Sequence, residues 1–284
     1  MSIGFAIVTY NSERVLPACL ESIPSGYEAV VVDNASKDNS VQIARSLGAR
    51  TIVNEKNTGF GSACNTGAKL LSASHVFFLN PDAVLAEGAV SEMEKAIELY
   101  PEAGGFGPAI KTVGKRQKFR KHSYPQNQGR PSKTDVPPAG LSEVDFLDGA
   151  ALVCNLELFL KLGGFDERIF LYYDDDDLCY RMRLQNKTLI YVARAEVYHQ
   201  RNGSSGRSIY LDYFRSFHAA RSRMFISYKY GLQFDAKRER RRAGILFLRA
   251  MVTLNVRKAA NSLGALIALS SYKPSYRRQS HDGN

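Results

Sequence analysis

Ile3-Gly4-Phe5-Ala6-Ile7-Val8-Thr9-Tyr10-Asn11-Ser12 decides the fold. An apolar run without alternation ends in a polar turn, the pattern of a strand covered on both faces of a parallel sheet. The next ninety residues repeat the theme. Strand patterns over 29–32, 51–54 and 75–79 alternate with helical patterns over 14–22, 39–47, 61–72 and 87–99. Such alternation predicts an α/β architecture with crossover helices. A polar cluster follows each strand: Thr9 to Asn11, Asp33-Asn34-Ala35-Ser36, Asn57 to Gly61, and Asn80-Pro81-Asp82. Ligands of open α/β sheets bind beyond the carboxyl ends of the strands, so four segments deliver polar groups to one edge.

Beyond residue 110 the pattern changes. Residues 111–140 are rich in Lys, Arg, Gln and Pro and lack periodicity, which predicts a mobile loop. Structure resumes at Val144-Asp145-Phe146-Leu147, with a strand over 150–154 and a helix over 156–162. Short strands are expected over 188–192 and 196–199. From residue 208 to about 272 the sequence reads as basic helix, and the last dozen residues as disordered. The expected organisation is a catalytic domain over 1–207 and a basic, amphipathic helical region over 208–284. Within the first, 1–110 forms a nucleotide-binding half and 141–207 an acceptor and catalytic half.

Charge follows the same division. Residues 201–284 carry 17 Lys/Arg against 4 Asp/Glu, while residues 1–200 carry 21 against 24. The net charge of +10 therefore belongs to the C-terminal region, which favours phosphate-rich partners. Cys19, Cys64, Cys154 and Cys179 form no CxxC pair and no zinc-type spacing, as expected of thiols in a reducing cytoplasm. The chain opens directly on a strand, without signal-peptide features, and no apolar run spans a bilayer. These features predict a soluble or peripheral protein.

Three acidic or basic positions carry chemistry. Asp82 follows a strand in a turn fixed by Pro81, where it either caps the next helix or holds a hard divalent cation. Asp174, Asp175, Asp176 and Asp177 stand at the head of a helix, whose N-terminus offsets about 0.3–1 kcal/mol per acid. That accounts for one or two acids more readily than for four. Asp177 and Arg181 have the spacing of a surface ion pair. His199 ends a strand ahead of a Gly/Ser turn at 202–206, where backbone amides suit phosphate and imidazole suits Mn²⁺. The run Gly59-Phe60-Gly61 lacks the third glycine of a dinucleotide fingerprint, and no P-loop is present.

Taken together, the segments VTYNS (8–12), VVDNASKD (31–38), NEKNTGFGSACN (54–65), LNPD (79–82), FLDGA (146–150) and GGFDERIFLYYDDDDLCYRMR (163–183) resemble glycosyltransferase family 2, in particular its bacterial rhamnosyltransferase-like members. The resemblance covers roughly residues 3–230. It implies a GT-A-type, Rossmann-like, mostly parallel sheet flanked by helices, followed by the basic helical segment. It places Thr9, Asn11 and Asp33 around the base and ribose of a nucleotide, with Asn57, Gly59 and Asn65 beside them. It makes Asp82 the ligand of Mg²⁺ or Mn²⁺, with His199 completing the site and Asn80 departing from a full Asp-x-Asp. Asp174 and Asp175 form the acid pair that contains the general base, assigned to Asp175. Asp176 departs from the family's apolar residue, and either points to solvent or alters acceptor choice.

The implied reaction is inverting transfer of a sugar, best matched by L-rhamnose from dTDP-rhamnose, from a nucleotide diphosphate. The implied acceptor is a lipid-linked or other glycan in cell-surface polysaccharide synthesis. Lys237, Arg238, Arg240, Arg241 and Arg242 precede an apolar helical stretch. This reads as an interfacial helix on the anionic inner face of the cytoplasmic membrane, or as a helix packed on the catalytic domain or making a dimer contact, with a solvated basic face. No nucleic-acid partner is expected. The competing readings are a nucleic-acid-binding protein with a basic tail and a non-catalytic nucleotide binder.

Overall fold

Phe5, Ile7, Phe77 and Leu79 lie in one buried cluster, and Ala6, Val8, Val76 and Phe78 in another. Period-two alternation thus sends neighbouring residues of β1 (Ile3–Thr9) and β4 (His75–Leu79) into two cores, one on each face of a sheet. The computed structural model describes residues 2–112, 117, 119–129, 135–199 and 208–272. Among these, nine strands form one sheet.

β1 pairs in parallel with β4 and with β2 (Glu28–Asp33), which pairs in parallel with β3 (Arg50–Val53). The rest of the sheet is mixed. β8 (Ala151–Asn155) runs antiparallel to β4 and to β6 (Gly105–Lys111), and β6 runs parallel to β9 (Leu189–His199). β5 (Ala83–Leu85) and β7 (Leu141–Val144) each pair antiparallel with β9. Helices α1 (Leu16–Glu21), α2 (Ser40–Ser46) and α4 (Ala89–Leu99) give side chains to the first core. α3 (Phe60–Ala68), α5 (Leu156–Lys161) and α6 (Asp174–Leu184) give theirs to the second.

Four strands differ from expectation, among them β5 and β7, which fall where no strand is expected. β6 is hidden in Gly105-Phe106-Gly107-Pro108, because Gly and Pro are depleted in strands. Both have local reasons. A Cβ on Gly107 would lie 2.6 Å from Leu147 Cδ2, and Pro108 sits where the register with β9 shifts. The same shift explains β9, which is one strand of 11 residues where two short ones are expected. Pro108 pairs with Val192 and Ala109 with Glu196, so the residues between form a bulge and not a break.

Tyr124–Pro131, Leu171–Tyr173 and Arg207–Asn284 form a second compact unit. Its helices are α7 (Ile209–Lys229), α8 (Ala236–Val252) and α9 (Val256–Ser271), capped by the side chains of Ser208, Asp235 and Asn255. α9 approaches α7 closely at Gly264, whose Cβ would lie 2.3 Å from the Tyr213 carbonyl. The expected Gly/Ser turn at 202–206, the disordered last dozen residues and part of the 111–140 loop lie outside the described residues.

Candidate functional site

Thr9 and Asp33 are the last residues of β1 and β2 and face each other in the register of the two strands. Both are fully buried. Thr9 Oγ1 and Asp33 Oδ1 have no hydrogen-bond partner among the described residues. Asp33 Oδ2 accepts from Ser36 N at 2.9 Å, which fixes the carboxylate. Burying a polar atom unpaired costs roughly 1–3 kcal/mol, so two at one strand edge are not a device for stability.

The loops around this edge are cross-tied. Asn11, at φ 51°, accepts from Lys37 N at 2.8 Å and donates its own amide to Ser36 Oγ at 2.8 Å. Ser12 N donates to Ser40 Oγ, and Glu13 N to Asp38 Oδ2. Asn34 is buried and had no assigned role, yet its side chain bonds three residues of the 54–59 loop. Its Nδ2 donates to the Gly59 carbonyl, and its Oδ1 accepts from Asn54 Nδ2 and Thr58 Oγ1. Its position inside the VVDNAS motif was the available signal.

Asn57 and Gly59 act on the backbone. Asn57 Oδ1 accepts from Gly59 N at 3.0 Å, and Gly59 has φ +91° at the start of α3. A Cβ there would stand 2.6 Å from the Phe170 carbonyl, so only glycine fits. Asn65 is committed elsewhere. Its Nδ2 donates to the Phe165 carbonyl and Glu167 Oε1, and its Oδ1 accepts from Phe165 N. With both donors engaged, the amide pins the Phe165–Glu167 stretch.

Asp82 and His199 are brought together from 117 residues apart. β5 pairs Ala83 with His199, which sets His199 Nε2 3.0 Å from Asp82 Oδ1; Asp82 is buried and the His199 ring nearly so. One oxygen and one imidazole are donors suited to Mg²⁺ or Mn²⁺. Among the described residues no cluster of three or more His, Cys, Asp or Glu is placed to hold a metal.

The four aspartates have separate environments. Asp177 and Arg181 form the expected ion pair, at 2.8 Å, but it is buried and not at the surface; Arg181 also donates to the carbonyls of Leu162 and Gly164. Asp176 is buried as well, and so does not face solvent. Arg120 grips it with two bonds of 3.1 and 3.0 Å while lying over the Phe146 ring. Asp175 accepts from Gly149 N at 3.1 Å and from Asp176 N at 2.9 Å. A Cβ on Gly149 would stand 3.1 Å from Asp175 Cβ, close enough to press the carboxylate out of place. Asp174 Oδ2 is buried without a partner among the described residues.

These surroundings shift the acids upward. Desolvation, then Asp176 and Asp174, hold Asp175 well above the ordinary carboxylate range, and Arg120 opposes them in part. Desolvation likewise pushes Asp174 up to about 7, with Asp176 and Asp177 adding to it. A carboxyl held near neutrality is suited to proton transfer. Arg120, Asp148 and Gly149 complete the arrangement; the first lies in the aperiodic 111–140 stretch and the others in the FLDGA motif.

The geometry can be set beside known proteins. The N-acetylglucosaminyl-diphospho-decaprenol L-rhamnosyltransferase of Mycobacterium tuberculosis is 27% identical over 240 residues, covering 70% of this chain and 76% of that one. The O-antigen chain rhamnosyltransferase RfbN of Salmonella typhimurium is 28% identical over 220 residues, covering 71% and 67%. The mannosyltransferase PcManGT of Pyrobaculum calidifontis, solved with GDP-Man and Mn²⁺, shares the fold with a TM-score of 0.59 at 15% identity, over 94% of this chain and 72% of that one. The fold is GT-A, and the Glycosyl transferase family 2 model matches residues 5–153, just over half the chain. The chain belongs to glycosyl transferase family 2 and is a nucleotide-sugar-dependent glycosyltransferase.

Proposed function

We propose that this enzyme transfers L-rhamnose, from dTDP-rhamnose, with inversion onto a lipid-linked glycan acceptor in cell-surface polysaccharide synthesis, at the inner face of the cytoplasmic membrane. The observation that carries the donor half of this reading is the paired, buried and unpartnered Thr9 Oγ1 and Asp33 Oδ1. A hydroxyl and a carboxylate oxygen there match the N–H and C=O edges of a pyrimidine and the hydroxyls of a sugar. Asn11, Asn57 and Gly59 hold the rim in shape. The rhamnosyl donor and lipid-diphosphate acceptor are supported by the names of the M. tuberculosis and Salmonella relatives.

In the proposed reaction Asp175 takes the proton from the acceptor hydroxyl. That oxygen forms its bond to the anomeric carbon on the face opposite the diphosphate. The bond from the anomeric carbon to the diphosphate oxygen breaks, and the diphosphate leaves with the electron pair. Gly149 N and Asp176 N orient the Asp175 carboxylate, and its raised pKa suits a base working near neutrality. Asp82 and His199 would hold Mg²⁺ or Mn²⁺, which when bound neutralises charge on a diphosphate. Asp174 shares the acid pair and adjusts its proton affinity.

The test is a thermal-shift panel of UDP, dTDP, GDP and CDP, each with Mg²⁺ or Mn²⁺, followed by turnover of the matching sugar nucleotide on a polyprenyl-diphosphate glycan. A hundredfold excess over the dissociation constant stabilises the folded state by about 2.7 kcal/mol. A shift confined to dTDP with turnover of dTDP-rhamnose is the expected result. A shift confined to another nucleotide would replace the donor, and no shift with any would remove the donor reading.

A further inference from the structure

At the corner between α8 and α9 the second unit exposes its most apolar surface. Leu248 is 65% exposed, Val252 and Leu254 are each 85% exposed, and Met251 and Val256 are more than half exposed. Ile245, Leu248 and Val252 recur at three- and four-residue spacing, so the apolar face of α8 runs into the corner. Leu254 adds a second oddity. It holds φ at 53°, the left-handed region, where Asn or Gly is at ease and Leu is strained. A turn selected only for folding would not place a strained leucine in water. Exposed basic residues surround this face: Arg241 and Arg242 on the body of α8, Arg249 before the corner, Arg257 and Lys258 after it. Among the described residues only Arg257 of these five is ion-paired, to Asp212 of α7 at 2.6 Å, and the C-terminal region keeps its excess of cations. No helix among the described residues is long and apolar enough to cross a membrane.

We infer that the α8–α9 corner is a wedge that enters the interface of an anionic bilayer. Leu248, Met251, Val252 and Leu254 bury among acyl chains, while the arginines bind the phosphates of the headgroups. Apolar tips and flanking cations act on different layers of the same surface, which is why they occur side by side. The inference deepens the reading above, and rests on it only for the reason the enzyme needs a lipid surface.

The chain contains no tryptophan, so one introduced at the corner is a clean reporter. The full chain carrying Val252→Trp is titrated with vesicles of phosphatidylcholine, with and without an equal amount of phosphatidylglycerol. Emission is expected to shift to the blue with the anionic vesicles alone, and less at high salt. In flotation, the Val252→Asn/Leu254→Asn chain should bind anionic vesicles at least about tenfold more weakly than wild type. Its melting temperature should be equal or higher, since Asn accepts the left-handed turn. No blue shift, equal shifts on neutral vesicles, or unchanged flotation of the double variant would each overturn the wedge. So would a corner-dependent dimer, seen by light scattering, without vesicle binding. The nucleoside-diphosphate melting shift, run on the same proteins, stands or falls separately and reports on the donor reading.

Discussion

His199 Nε2 lies 3.0 Å from Asp82 Oδ1, 117 residues away in sequence, because β5 and β9 pair so as to set the two side chains at one sheet edge. If the pair is a metal site, Asp82→Asn and His199→Ala should each weaken Mn²⁺ binding in the presence of nucleoside diphosphate, by on the order of 10–100-fold. Titration followed by the paramagnetism of free Mn²⁺ measures this. Unchanged affinity in both variants would assign the pair to strand pairing alone.

Asp175 is oriented by two backbone donors, and Asp175→Asn preserves shape and volume. Turnover should fall by about 10²–10⁴-fold, the usual worth of a general base, while the melting shift with donor nucleotide persists. A variant with nearly full turnover would remove Asp175 from the proton transfer.

The parallel half of the sheet was legible because β1, β2 and β4 are apolar runs that stop abruptly at Thr9, Asp33 and Leu79, and each stop delivers polar residues to the same edge. Thr9, Asp33 and Asp82 were visible for that reason, while His199 and the acid run stood out by residue type, at the end of a later strand and the head of a helix. β6 was not, because its Gly105, Gly107 and Pro108 answer to Leu147 and to a bulge that only the folded chain defines. Neither was Arg120, whose partner Asp176 lies 56 residues away. Asp176 and Asp177 read as surface acids because local spacing carries no information about burial; the paired arginines that permit it come from elsewhere or bond several groups at once.

Asn65 separates a structural role from a binding role. Asn65→Ala would strand Phe165 N and the Phe165 carbonyl, both paired only through this amide among the bonds found, at a cost of about 3 kcal/mol. Urea unfolding should show that loss, and calorimetry should show donor-nucleotide affinity within about twofold of wild type under conditions where the variant is folded. A large affinity loss with little change in stability would return Asn65 to the nucleotide site.

Asp174 predicts a pH dependence of stability with a definite sign. Its carboxyl is pushed up to about 7 by burial, against 3.8 in an unperturbed chain. Between those values the folded state holds a proton that the unfolded chain releases. The stabilisation is therefore complete below the lower value and is lost as pH rises through the upper one, by about 1.4 kcal/mol per pH unit at most. Asp174→Asn has no proton to lose. Its melting temperature relative to wild type should rise from pH 4 to pH 8, and a constant difference would show that Asp174 is ionised throughout.

Arg120 is the cation that limits the rise of Asp175 as well as the partner of Asp176. Arg120→Met keeps the stem that lies over Phe146 and removes the charge. Asp176 is then a buried acid without its ion-pair partner, which costs about 3 kcal/mol if it stays ionised and less if it takes up a proton. With the cation gone, Asp175 holds its proton to higher pH. The acid limb of the kcat/KM profile should move upward, so that activity lost near neutrality returns in part under alkaline conditions. A purely structural role predicts a uniform loss across the profile, and that outcome would confine Arg120 to holding Asp176 in place.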